Sequence, residues 1–316
     1  MIEAPATPES WNAPDRINWI QSIPMLFVHV WAVWAVFHTG IHARLVLWGL
    51  GSYYLRMVGV TLGYHRYFSH RTFKTSRPMQ FLIAFWAEAS LQKGILWWAS
   101  HHRWHHKYSD TEWDVHSPSR RGFWYSQIGW ILSDKYSGTE LERVKDLAKY
   151  PELVLLDKFY LFPPLFVGAL IWVFAGFDAF LWAGIIATTV LWHGTFTINS
   201  LSHVFGSRPY TTTDTSRNNF LLAMITCGEG WHNNHHHYQS TANQGWHWWQ
   251  LDMSYYIIKG MQALGLVWDV RTAPRHVVEG TGESTLSTKL EPVLAKARQV
   301  VHEVASPSSP SPELSE

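Results

Sequence analysis

The sequence predicts an all-α integral membrane protein whose four transmembrane helices form two hairpins, with a histidine-rich portion on the cytoplasmic side. Three observations carry this expectation: long apolar stretches that come in pairs, a charged fraction of only 16%, and histidines in repeated clusters. An ordinary globular domain has roughly 25% charged residues. The mean hydropathy of -0.11 does not announce a membrane protein. Twenty Trp, 19 His and 13 Tyr in 316 residues lower that mean, however, and such amphipathic rings suit an interface.

Taken in order, Met1 to Gln21 is polar and contains Pro, unlike a secretory signal peptide. Ile23 to Phe37 is apolar except for His29, and Leu45 to Leu62 is apolar except for Arg56. These stretches form the first predicted hairpin, its opening span short, with the break at His38-Thr-Gly-Ile-His42. Met79 to Leu91 is too short to span and holds Glu88, so it reads as an interfacial or buried helix. Tyr160 to Phe177 carries no charge and Ala179 to Ile198 carries only His193, which makes this second hairpin the stronger pair. The expected spans are therefore about 23–37, 45–62, 160–177 and 179–198. They sit within a membrane domain of 23–284, after an N-terminal segment of 1–22 and before a tail of 285–316. In that tail Thr285 to Val304 reads as a surface helix and the Ser/Pro-rich end from Ser306 as disordered.

Charge orients the hairpins. Arg66, Arg71, Lys74 and Arg77 follow the first pair, and Arg103, Lys107, Arg120, Arg121, Lys135, Arg143, Lys145, Lys149 and Lys158 precede the second. The connections inside the hairpins offer only Arg44 and Asp178. By the positive-inside rule both termini and the middle segment are cytoplasmic. A net charge of +1 excludes electrostatic capture of nucleic acid. The single Cys227 excludes a disulfide framework, a cysteine zinc site and an intrinsic iron-sulfur cluster, so a metal must be held by histidine or carboxylate.

Nine histidines fall into clusters. His65 and His70 form His-x4-His; His102, His105 and His106 form His-x2-His-His; His232, His235 and His236 repeat it; His203 stands after Asn199-Ser-Leu-Ser. An even number of spans separates them, so all share the cytoplasmic side. If His102 to His106 is helical, His105 lies about 60° to one side of His102 and His106 about 40° to the other. One face could then feed two metals, with His102 and His106 on one ion and His105 on its neighbour. The same arithmetic holds for His232, His235 and His236. Clustered imidazoles are costly to desolvate without a shared cation. His29, His38, His42, His193 and His247 read instead as anchors or satisfied core residues, and His101 and His237 fall outside the ligand spacing. The zinc-protease His-Glu-x-x-His is absent. The one Glu-x-x-His, Glu229 to His232, lacks the second copy that ferritin-like di-iron bundles need, so Glu229 is read as supporting a ligand or as structural. A neutral set of eight or nine imidazoles suits iron in an oxygen-activating role.

These motifs resemble the membrane fatty acyl desaturases of the stearoyl-CoA (delta-9) type. The resemblance runs from about Gly59 to Asp269 through Gly-Val-Thr-Leu-Gly-Tyr-His65-Arg with Ser-His70-Arg-Thr, His102-Arg-Trp-His105-His106-Lys, Arg120-Arg-Gly-Phe, Asn199-Ser-Leu-Ser-His203 with Arg208-Pro-Tyr, and Gly228-Glu-Gly-Trp-His232-Asn-Asn-His235-His236. It implies a four-helix stem with a cytosolic cap and two irons. One iron would sit on His65, His70, His102, His106 and His235, the other on His105, His203, His232 and His236, with Asn199 reaching the second through water. It further implies O2-dependent introduction of a cis double bond, by default at delta-9, into a saturated long-chain acyl-CoA or acyl-lipid. Electrons would come from NAD(P)H through an external ferredoxin or cytochrome b5 with its reductase, since the sequence shows neither a dinucleotide fingerprint nor a His-Pro-Gly-Gly haem signature. Phe196 stands where animal acyl-CoA members have a Trp facing the substrate. Among Asp110, Glu112, Asp114 and His116, some are expected to orient ligand imidazoles. Trp246, Trp248 and Trp249 are expected to form an interfacial belt. A related histidine-box hydroxylase and a non-catalytic membrane metal-binding protein are the rival readings.

Overall fold

A computed structural model describes residues 15–280 of the chain. The chain divides into one unit of residues 1–272 and another of 273–316, whose described part contains the short helix Arg275–Val278. The surface helix and disordered end expected beyond Thr285 lie outside the described residues.

Helix α1, Trp19–Thr39, starts earlier than the apolar run suggests because the Asn18 side chain accepts a hydrogen bond from the Gln21 N–H at 3.0 Å. Gly40, at φ 68°, ends it. Helix α2, Ala43–Val58, continues as a π-helix through Gly59–Ser69. The expected stop at Leu62 is thus overrun by seven residues, and the span carries His65 out of its apolar part without a break.

Helix α3, Arg77–Glu88, begins with Ser76 capping and with Pro78 in the first turn. It lies against the π-helical turns so closely that a Cβ at Gly63 would come within 2.9 Å of the Ala87 methyl. Helix α4, Ile95–Tyr108, carries the second histidine cluster. Its first turn is tied down from outside by Asp157, whose Oδ1 accepts from Leu96 N at 2.8 Å and Trp97 N at 3.2 Å.

The span that the sequence favours around 160–177 is where the fold departs most. Helices α5, Pro151–Lys158, and α6, Phe162–Ala175, meet at a 68° bend. Pro163 and Pro164 open α6 and cannot donate back into a preceding turn, so the chain breaks at Phe159 to Leu161. By itself α6 covers only about 21 Å, short of the roughly 30 Å of a bilayer core. The last span runs Phe177–His203 and includes π-helical turns at Leu181–Ile186 before α7, Ala187–Asn199. Gly176 at φ 88° makes the turn into it. Three helices are thus long and apolar enough to cross a membrane, and the bent pair makes a fourth if counted as one span. Their exposed faces are apolar, with Phe27, Val30, Phe37, Leu47, Leu165 and Phe174 outward.

Among the shorter helices that follow are α8, Phe220–Ile225, α9, His232–His237, and α10, Met253–Ala263. A two-stranded antiparallel ribbon pairs Lys74–Thr75 with Val267–Trp268. The core packs the π-helical turns against α3, α4 and α7 through Leu62, Tyr64, Phe68, Ile83, Leu96 and Leu191.

Candidate metal centre and acyl cavity

The π-helix explains why His65 and His70, five residues apart, act together. In an α-helix they would point about 140° apart, whereas i to i+5 bonding stacks such positions on one face. His70 N donates to His65 O at 3.2 Å in that register. Helix α4 presents His102, His105 and His106. Asn218 Oδ1, which accepts from both Asn233 N and Asn234 N at 2.9 and 3.2 Å, orients α9 so that its histidines face inward. Two groups result. His65, His70, His102, His106 and His235 have ring nitrogens within 4.8 Å of one another, and so do His105, His203, His232 and His236.

The donor chemistry shows that these groups fit metal ions. Nε2 atoms meet head-on: His65 to His235 at 3.0 Å, His235 to His106 at 2.9 Å, His70 to His102 at 2.9 Å and His203 to His232 at 3.1 Å. Carboxylates hold the opposite ring nitrogen. Glu229 meets His65 Nδ1 at 2.5 Å, Asp114 meets His105 Nδ1 at 2.8 Å, Asp214 meets His236 Nδ1 at 2.6 Å, and Asp110 meets His203 Nδ1 at 3.3 Å. A ring that donates from Nδ1 presents a lone pair at Nε2, and several lone pairs directed at one point repel unless a cation lies between them. The buried Nε2 atoms of His105 and His236 have no protein partner. Burial, and after it the neighbouring imidazoles, holds His70, His102, His106, His232 and His235 well below the usual histidine range, which favours the neutral imidazole a metal site would need. For the supporting acids burial pulls upward most strongly. Contact with His203 and nearby hydroxyls nevertheless holds Asp110 far below its usual value, His236 does the same for Asp214, and His105 holds Asp114 at about 2.

Asp110 and Asp114 were thus rightly singled out by sequence as supports. Glu112 is exposed, and His116 packs its buried ring on His105 at 4.2 Å. Asp214 was missed: it lies 22 residues before His236 in the chain, and no local spacing links the two. Glu229 also anchors the buried Arg66, which reaches Asp252 at 2.8 Å and so joins the π-helix to the loop before α10. His101 and His237 are outside both groups. His101 bonds the Trp97 carbonyl through Nδ1 at 2.8 Å, and His237 the Thr211 carbonyl at 2.8 Å. The expected lone anchors His29 and His193 meet each other at 3.0 Å between α1 and α7.

Beside the first group lies a cavity of about 290 Å³, at the small end for a ligand pocket. Met25 and Val28 of α1, Trp97, Trp98 and His102 of α4, and Trp192, Phe196 and Asn199 of α7 line it. Asn199 is part of the cavity wall.

A model of the fatty acid desaturase family matches residues 43–270, which takes in both histidine groups. This chain belongs to the fatty acid desaturase family. The desaturase is an oxidoreductase acting on acyl chains and a membrane protein. It is 36% identical over 265 residues to an icosanoyl-CoA 5-desaturase of Limnanthes douglasii, covering 83% of this chain and 73% of that one. It is 33% identical to an sn-1 stearoyl-lipid 9-desaturase of Anabaena variabilis, over 84% of this chain and 97% of that one. A hex-5-enoyl-[acyl-carrier protein] acetylenase of Moorena producens is 36% identical over 73% of this chain and 78% of its own length. The names of these relatives span three acyl carriers.

Proposed function

We propose that the desaturase introduces a cis double bond at delta-9 of a saturated long-chain acyl group, using O2 and two irons. The supporting observation is that an apolar cavity, lined in part by His102 and Asn199, lies beside the first of two neighbouring imidazole groups. His65, His70, His102, His106 and His235 would hold one iron; His105, His203, His232 and His236 would hold the other, with Asn199 reaching it through water. When bound, the irons supply the oxidising power by which O2 takes two hydrogens from the chain and, with two electrons and two protons from outside, leaves as two waters. The protein's own part is positional. Glu229, Asp114, Asp214 and Asp110 keep each supported ring turned and protonated at Nδ1. The apolar walls exclude water and hold one carbon pair at the site.

The electrons come from a separate ferredoxin or cytochrome b5 with its NAD(P)H reductase, docked where cations of the middle segment attract an acidic partner. The membrane domain occupies 23–284, between cytosolic segments 1–22 and 285–316, and the histidine groups face the cytoplasm, as the distribution of Lys and Arg supports. Gas chromatography of fatty acids from a desaturase-deficient host expressing the chain tests this reading. A delta-9 monoene is expected; a hydroxylated acid instead would assign the related hydroxylase chemistry.

A further inference from the structure

The cavity wall contains one feature that desaturation itself does not use. Lys93, in the loop between α3 and α4, lines the cavity and is partly buried. Among the described residues it is the cavity's one formal cation, with no Arg, Asp or Glu beside it in the lining. No carboxylate pairs with it among the described residues. Its ammonium lies over the Trp97 ring at 5.5 Å from the centroid. Burial pushes its pKa below the usual lysine value, as expected for a cation deprived of water. The loop is also held in a fixed shape. Leu91 and Lys93 sit at φ 57° and 70°, in the left-handed region. Tyr64 OH donates to the Lys93 carbonyl at 2.5 Å, and Gln92 Nε2 donates to Thr195 Oγ1 at 2.9 Å.

A partly desolvated ammonium in an apolar cavity calls for an oxygen of the ligand. We propose that Lys93 binds the oxygen-bearing head of the acyl substrate, a carbonyl or carboxylate oxygen at carbon 1, and thereby sets which carbon pair reaches the metal ligands. The inference rests on the reading of the cavity as the acyl site. The Lys93 ammonium lies over Trp97, five positions before His102, roughly 7.5 Å of advance along α4 at about 1.5 Å per residue. A head fixed at Lys93 therefore fixes the register of the chain. One ammonium matches one oxygen centre, which an ester, a thioester or a free acid all provide.

The test uses the purified protein in nanodiscs with its metal as isolated and no electron donor, so that it does not depend on turnover. Equilibrium binding of radiolabelled stearoyl-CoA, 1-stearoyl-lysophosphatidylcholine, stearate and octadecane is measured for wild type, Lys93→Met and Lys93→Arg. At least one oxygen-headed probe should bind wild type more tightly than octadecane, and which one does identifies the carrier. Lys93→Met should weaken that probe about tenfold or more, the loss of a charge-assisted contact. Octadecane should be unaffected, and Lys93→Arg should retain most of the affinity. With the metal-loaded enzyme in the host, Lys93→Met should also spread the double bond over neighbouring positions. The proposal is overturned if no oxygen-headed probe outbinds octadecane, if Lys93→Met leaves the preferred probe unchanged, or if octadecane loses affinity in step. A host that yields no unsaturated product while the binding contrast persists would refute desaturation and leave the head site standing.

Discussion

At the scale of single residues, His106 and His235 converge Nε2 to Nε2 at 2.9 Å from opposite sides of one group. Replacing either with Ala should abolish unsaturated product while the protein still inserts in the membrane, as blotting of the membrane fraction would show. His237→Ala should keep substantial activity, because its ring is spent on the Thr211 carbonyl. The carboxylates offer a subtler change. Asp214→Asn keeps the shape but weakens the hold on His236 Nδ1, and metal affinity should fall about 10- to 100-fold. Competition with a chelator measures this, and an unchanged affinity would remove Asp214 from the metal's support. The histidines of α4 and α9 are legible in sequence because their spacing follows helix geometry. Asp214, Gln244 and Lys93 are not, since each meets its neighbours only through the fold, as when Gln244 Nε2 reaches Glu229 at 2.6 Å.

At the scale of elements, the interior carries groups that respond to pH and to packing. Glu88 at the end of α3 is fully buried, with Oε1 accepting from Ile95 N at 3.0 Å and Oε2 without a partner. Burial pushes its carboxyl up to about 9. A carboxyl raised in the folded state contributes stability that is complete below its unfolded value of about 4.5 and is lost as pH rises toward 9. Wild-type Tm should therefore fall between pH 5 and pH 8, by up to about 1.4 kcal/mol of stability per pH unit, while Glu88→Gln shows a flatter profile. Parallel curves in scanning fluorimetry would dismiss Glu88 as the source. Arg56 shows the packing side: it reaches Ala183 O at 2.8 Å and Thr188 Oγ1 at 2.5 Å, contacts between α2 and the last span. Arg56→Ala should cost about 1–3 kcal/mol by stranding those groups, read as a lower Tm with the metal content unchanged. Helix existence was legible here and helix type was not. Apolar runs announce α1, α2 and α7, but nothing in Gly59–Ser69 announces five-residue turns, and a charge-free run concealed the proline break that leaves α6 short.

At the scale of the whole molecule, the two histidine groups join α4 and α9 to the ends of two membrane spans through His65 and His203, so a metal bound there would tie these elements together. Protein purified from iron-replete cells should contain about two irons per chain, and chelation should lower Tm as well as activity. One zinc per chain with full activity in anaerobic buffer would contradict the oxidative reading. Purified enzyme with acyl substrate, O2 and NAD(P)H alone should be inactive, and a reductase with its carrier should restore turnover. Sustained turnover without a carrier would show that the electron route proposed here is wrong.

The π-helical turns of Gly59–Ser69 also bear on which changes of length the gene can accept. Four residues separate His65 from His70, and only the wider turn brings both to one face. With three residues between them, a plain α-helix would do the same, since positions four apart are neighbours there. Losing one codon at this point is therefore compatible with the ligand pair only if the helix type changes with it. Two lineages could differ there by a single residue and still place the same two imidazoles against the same metal.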